Sequence, residues 1–90
     1  MSQDWPTTSF GHLWPGMTYM VVQPFRDFDG NEHPVGETWS FIGSSFLPYD
    51  DGLSLFVVID GQRRQIRMQW REEQQGAIVD NLEDYVEAKK

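Results

Sequence analysis

Leu53-Ser54-Leu55-Phe56-Val57-Val58-Ile59-Asp60-Gly61-Gln62-Arg63-Arg64-Gln65-Ile66-Arg67-Met68-Gln69-Trp70-Arg71 is the stretch that decides the fold class. Leu53, Leu55, Val57 and Ile59 alternate onto one face, and the run is rich in β-branched residues. This reads as a strand. Asp60-Gly61 reads as a two-residue hairpin turn, because glycine tolerates the positive φ such turns need. A two-residue turn pairs Ile59 with Gln62, so Leu55 faces Ile66 and Leu53 faces Met68, with Trp70 extending the same face. A slip of one residue would set Leu55 against Gln65 and destroy the apolar match.

Working outward, Met17 to Arg26 reads as a strand with Tyr19, Val21 and Phe25 on one side. Pro24 cannot donate to a ladder, which places that end at an edge or a bulge. Glu37 to Ser44 reads as another strand, with Trp39 and Phe41 on one face; Gly43 on that face signals a bulge or sharp bend. The intervening segments, Asp27 to Gly36 and Phe46 to Gly52, are loops by their Asp-Gly signals. Ser9 is expected to cap a short helical turn carrying Phe10, Leu13 and Trp14, ended by Pro15-Gly16. Met1 to Thr8 has no apolar periodicity and reads as a flexible arm. At the other end, Ile78, Leu82, Tyr85 and Val86 recur at helical spacing, which predicts a helix over about 76–89. The expected fold is mainly β: a small SH3-like barrel or strongly curled antiparallel sheet with a C-terminal α-helix, the alternative being an α+β roll. Residues 9–90 form its single domain.

Ninety residues suffice for one domain and one core. A chain of this length buries only about 60–65% of its unfolded surface, so each of its many aromatic residues counts. There is no cysteine, which excludes disulfides and thiolate metal sites. No apolar run approaches membrane-spanning length, and Met1-Ser2-Gln3-Asp4-Trp5-Pro6 lacks the features of a signal peptide. A soluble cytoplasmic protein is expected. The net charge of −7 repels phosphate backbones and attracts basic partners, so neither nucleic acid nor membrane is an expected partner. Between Asp27 and Asp60 there are seven carboxylates and no Lys or Arg. Arg63, Arg64, Arg67 and Arg71 then follow together and are expected to answer surrounding carboxylates.

Catalytic and metal signatures are weak. Asp27, Asp29 and Asn31 have the opening spacing of a calcium loop, but Glu32 stands where glycine is needed and Thr38 where the closing glutamate belongs. His12 and His33 match no zinc spacing, and His33 is expected to hydrogen-bond within its loop. No serine lies in a nucleophile elbow and no glycine-rich loop carries a lysine. No catalytic, cofactor-binding or metal residue is assigned, and no cofactor is expected. The most informative loop is Phe46-Leu47-Pro48-Tyr49-Asp50-Asp51-Gly52. It places a tyrosine beside two acids, a combination suited to gripping a basic or proline-rich segment.

Four motifs run through most of the chain: Leu13-x-x-Gly16-x-x-Tyr19; His33-Pro34-x-Gly36-Glu37-x-Trp39-x-Phe41-x-Gly43; Phe46-x-Pro48-Tyr49-x-Asp51-Gly52-Leu53; and Ile66-Arg67-x-Gln69-Trp70-Arg71. On these the chain resembles a family of small uncharacterised bacterial proteins known only as a domain of unknown function. The resemblance implies no activity, cofactor or site residue. From the residues themselves, the expected function is a non-catalytic protein–protein interaction, in its sharpest form a small acidic inhibitor of the immunity type that binds a basic partner such as a toxin. Asp27, Asp29, Glu32, Tyr49, Asp50 and Asp51 are the expected partner-binding residues. An SH3-like peptide-binding module, and a small enzyme or metal-binding protein, are the alternatives. Exposed tryptophan and tyrosine could equally mark a homodimer.

Overall fold

Residues 6–89 are described by the computed structural model of the chain. They form strands β1 (Thr18–Val21), β2 (Phe25–Arg26), β3 (Glu32–His33), β4 (Thr38–Leu47), β5 (Gly52–Ile59), β6 (Gln62–Gln69) and β7 (Val86–Ala88), one short helix α1 (Gly76–Asp80), and a 3-10 turn at Leu82–Asp84. Met1–Trp5, most of the expected arm, lie outside the described residues, as does Lys90.

The β5–β6 hairpin has the register that side-chain alternation demands, with Ile59 opposite Gln62, Leu55 opposite Ile66 and Leu53 opposite Met68. Both turn residues take positive φ, +52° at Asp60 and +78° at Gly61. That is the backbone of a type I′ turn, whose twist matches that of the strands it joins. Five strands make one antiparallel sheet in the order β6-β5-β4-β1-β7, and β2 pairs with β3 in a separate two-stranded ladder. The sheet does not close into a barrel. The chain leaves β1 at Val22, crosses Pro24, and carries the β2–β3 loop to the outer edge of β6, where the Phe28 amide donates to the Arg67 carbonyl (2.8 Å). The single strand expected from Met17 to Arg26 is therefore two, broken where proline has no donor to offer.

β4 runs further than expected, to Leu47, and shifts register between Phe41 and Gly43. This is the bulge that the glycine signals, and the structure shows why no side chain fits there. A Cβ on Gly43 would lie 1.8 Å from the Pro6 carbonyl oxygen. The segment from Pro6 to Thr8, assigned to the arm, instead crosses β4 at this point. Thr8 bridges Ser44, and the Ser44 hydroxyl donates to the Thr8 carbonyl (3.0 Å).

Two further expectations are corrected. Ser9 to Trp14 forms a reverse turn in which Phe10 and Leu13 exchange main-chain hydrogen bonds, with Gly11 at positive φ. The Trp14 amide then donates to the Tyr19 hydroxyl (2.8 Å), which itself donates to the His12 carbonyl (3.0 Å). The C-terminal helix is also far shorter than 76–89. It stops at Asp80, and Asn81 leaves helical geometry with φ −124° and ψ 33°. Asp and Asn are poor helix formers. The exposed edge of β1 supplies the competing partner: Val86–Ala88 pairs with Tyr19–Val21, and a strand replaces the helix's second half. Leu82 and Val86 are buried all the same, which is why their spacing imitated an apolar helix stripe.

The core lies on one face of the sheet and comprises Leu13, Tyr19, Val21, Phe25, Trp39, Phe41, Leu53, Leu55, Val57, Ile66, Met68, Val79, Leu82 and Val86. Burying each large side chain here stabilises the fold by about 1.5–3 kcal/mol. Among the described residues Trp39 Nε1 is buried without a hydrogen-bond partner, at a cost to stability.

Candidate functional site

The acids expected to bind a partner do not share one environment. Asp27 closes β2 and is buried. Its Oδ1 accepts from the amides of Asp29 and Asn31 (both 3.0 Å), and its Oδ2 meets His33 Nε2 at 2.8 Å. His33 Nδ1 lies 2.6 Å from Glu37 Oε1, and the ring stacks on Phe25 (centroids 4.7 Å, interplanar 20°). Both nitrogens face carboxylate oxygens and are occupied by them. The cluster ties the end of β2, strand β3 and the approach to β4 into one unit. It borders a cleft of about 260 Å³ that Arg64, Ile59 and Ile66 line from the hairpin side. With neither ring nitrogen free to act as a base, and Asp27 turned onto main-chain amides, this constellation is a structural clamp. Asp27 has no surface to offer a partner. Among the described residues, no group of three or more His, Asp or Glu is arranged to hold a metal ion.

Three other expected acids are on the surface, each beside an arginine. Glu32 pairs with Arg26 across the β2–β3 ladder. Asp29 pairs with Arg67 (3.0 Å), whose guanidinium also sits 5.6 Å from the centroid of the Phe28 ring. Asp51 pairs with Arg71 (3.1 Å). Exposed pairs of this kind contribute only about 0–1 kcal/mol each, but they neutralise charge locally. Among the described residues the Asp50 carboxylate has no partner; only its main chain bonds, the carbonyl accepting from Gln69 Nε2 and the amide donating to Leu47.

Tyr49 stands at the tip of the β4–β5 turn with 98% of its surface exposed. Leu47 (57%) on the same turn is also exposed, as is Phe28 (41%) on the β2–β3 loop. These two loops are separated in sequence, yet Phe28, Leu47 and Asp50 line a common cleft floored by Leu53 and Met68. The topology explains the meeting: the β4–β5 turn and the Arg67 end of β6 lie at the same end of the sheet, and the Phe28 amide anchors the β2–β3 loop to Arg67. Phe46, the remaining apolar residue of the turn, points the other way. It makes an edge contact with Trp70 (5.5 Å), as Phe10 also does (5.6 Å). Sequence reasoning singled out Tyr49 and Asp50 and put Leu47 in the same informative loop, but missed Phe28. An exposed apolar residue beside Asp-Gly was the signal for Phe28, and it reads equally well as an ordinary loop.

These features define a small antiparallel β domain with a buried Asp–His–Glu clamp and one aromatic-rich end. The chain belongs to the family described as "Domain of unknown function (DUF3601)", whose model matches residues 8–90. Among solved structures it is similar to an integron cassette protein from the mobile metagenome of Vibrio cholerae, with 36% sequence identity, a TM-score of 0.92 and 99% of each chain covered. No match was found among curated proteins. No helix among the described residues is long and apolar enough to cross a membrane.

Proposed function

We propose that this protein is a non-catalytic protein-binding domain that docks a basic partner through the β4–β5 turn and the adjoining β2–β3 loop. The observation that carries this reading is Tyr49, an aromatic residue almost wholly exposed at a turn tip, next to a cleft rimmed by exposed Leu47 and Phe28 that its chain neighbour Asp50 also lines. Tyrosine is enriched at the energetic centres of interfaces, where its ring supplies area and its hydroxyl a directed bond. No continuous acidic face supports the reading, because Asp27 is buried and Asp29, Glu32 and Asp51 are paired. Charge enters instead at long range: a net −7 steers basic partners toward the domain. An inhibitor of a basic protein, of the immunity type, is the specific form this function takes in our proposal.

The test is photocrosslinking in the native host. A benzophenone amino acid is placed at Tyr49 in one strain and at Asp60, on the hairpin tip, in another. A defined crosslinked protein from position 49, absent from position 60 and competed by unlabelled domain, supports the proposal. Crosslinks of equal yield from both positions, or none from position 49, reject it.

A further inference from the structure

We infer that the cleft between Phe28 and Leu47 is the seat of a single long cationic side chain, a lysine or arginine projecting from the partner. This rests on the reading that the Tyr49 end of the sheet binds protein, and it names what that end would grip first. The cleft is small, about 70 Å³, a size suited to one side chain rather than to a helix face. Phe28 and Leu47 give it an exposed apolar rim over buried Leu53 and Met68, Ser54 and Gln69 are polar residues of its lining, and Asp50 and Arg67 are its charged residues.

The charge balance selects the sign of the occupant. Arg67 is already held by Asp29 at 3.0 Å and lies over the Phe28 ring, so its charge is answered from within the molecule. Asp50 is not answered: among the described residues nothing meets its carboxylate, while its neighbour Asp51 is paired with Arg71. The Asp50 main chain is nonetheless fixed on both sides, by Leu47 and by the Gln69 side chain. A carboxylate on an anchored backbone therefore stands beside a small cleft rimmed by the exposed side chains of Phe28 and Leu47. Long cationic side chains fit such a place because their stems cover apolar surface while their heads reach a carboxylate.

The experiment is an NMR titration of the ¹⁵N-labelled domain with acetyl-Gly-Gly-Lys-Gly-Gly-amide, with the norleucine and glutamate versions of the same peptide as comparisons. The expected result is saturable shifts of the Phe28, Asp50 and Met68 amides with the lysine peptide. Affinity should be millimolar, weaken two- to fivefold in Asp50→Asn, and fall as salt is raised. The glutamate peptide should produce no shifts at these amides. Three outcomes overturn the inference: no shift at these amides, equal affinity for the norleucine peptide, or a response unchanged by Asp50→Asn. Because Asp50→Asn alters an exposed group, its fold is checked by the same spectrum. If the peptide fails while position 49 still crosslinks, the cleft assignment falls alone. If the peptide binds and position 49 does not crosslink, the proposed function falls alone.

Discussion

Replacing His33 with leucine should be among the most damaging single changes on this surface-rich little domain, and its magnitude can be worked from the clamp. The substitution keeps the volume roughly apolar and fills the space on Phe25, but it removes both hydrogen bonds that the ring makes to carboxylates. The Asp27 side chain is only 2% exposed, so water cannot replace His33. Stripping the partner from a buried carboxylate costs about 3–5 kcal/mol. Asp27 retains two main-chain amide donors on its other oxygen, which holds the estimate to the lower part of that range, about 3–4 kcal/mol. For a domain of this size the whole stability is roughly 4–14 kcal/mol, and the melting temperature should fall by roughly 12–30 °C. Urea denaturation followed by far-ultraviolet circular dichroism at 10 °C gives the number directly. The diagnostic variant is the double change Asp27→Asn with His33→Leu, which removes the buried charge along with its partner. It should be more stable than His33→Leu alone, with a coupling of 1 kcal/mol or more, roughly, between the two sites. A His33→Leu cost below about 1 kcal/mol, or strict additivity of the two changes, would refute the clamp.

Other sites give independent checks. Gly43→Ala places a Cβ on top of the Pro6 carbonyl, so the Pro6–Ser9 segment should lift from β4. The expected cost is about 1–3 kcal/mol, with faster protease cleavage before Phe10 than in the wild type. Tyr19→Phe removes the hydroxyl that bonds Trp14 and His12; a loss of about 1–2 kcal/mol in chemical denaturation is expected, with the fold retained. Arg67→Ala breaks an exposed pair with Asp29 and should cost under about 1 kcal/mol, while hydrogen exchange at Phe28 rises as the loop loosens on β6. Tyr49→Ser should leave the melting temperature unchanged and abolish crosslinking from a probe moved to position 47.

How far the sequence could be read depended on whether neighbouring residues or distant ones decided the outcome. The β5–β6 register was legible because alternation and turn chemistry lie within nineteen consecutive residues and agree with each other. Gly43 was legible as a bulge for the same local reason, although the Pro6 segment that makes a side chain impossible there was not. The C-terminal segment misled because Ile78, Leu82 and Val86 keep helical spacing while serving different elements: Leu82 is in a 3-10 turn and Val86 in β7. Pairing with the edge of β1 is a long-range gain that no local periodicity reports. The same limit applies to the acids. The arginines after Asp60 were expected to answer carboxylates, but the seven acids between Asp27 and Asp60 do not say which of them would be answered. The topology brings Arg67 to Asp29 and Arg71 to Asp51, and it buries Asp27 under His33.

That redistribution of charge gives the two loops different jobs. The β2–β3 loop carries its acids inward or into pairs: Asp27 caps the loop's own amides, and Asp29 fastens it to β6. Its rigidity is therefore supplied by groups that cannot also serve a partner. The β4–β5 turn is fixed differently, by main-chain bonds from Trp70 to the Asp51 carbonyl and from Asp50 to Leu47. Holding a turn through its backbone leaves the side chains of Leu47, Tyr49 and Asp50 unspent. A binding surface needs that combination, since ordering a mobile side chain or loop on association costs affinity. In this domain the loop whose amides Asp27 caps carries Phe28, which lines the cleft beside the anchored turn. Mutations in the buried clamp should therefore weaken partner capture without touching the partner, whereas mutations at Tyr49 should weaken capture without touching the fold.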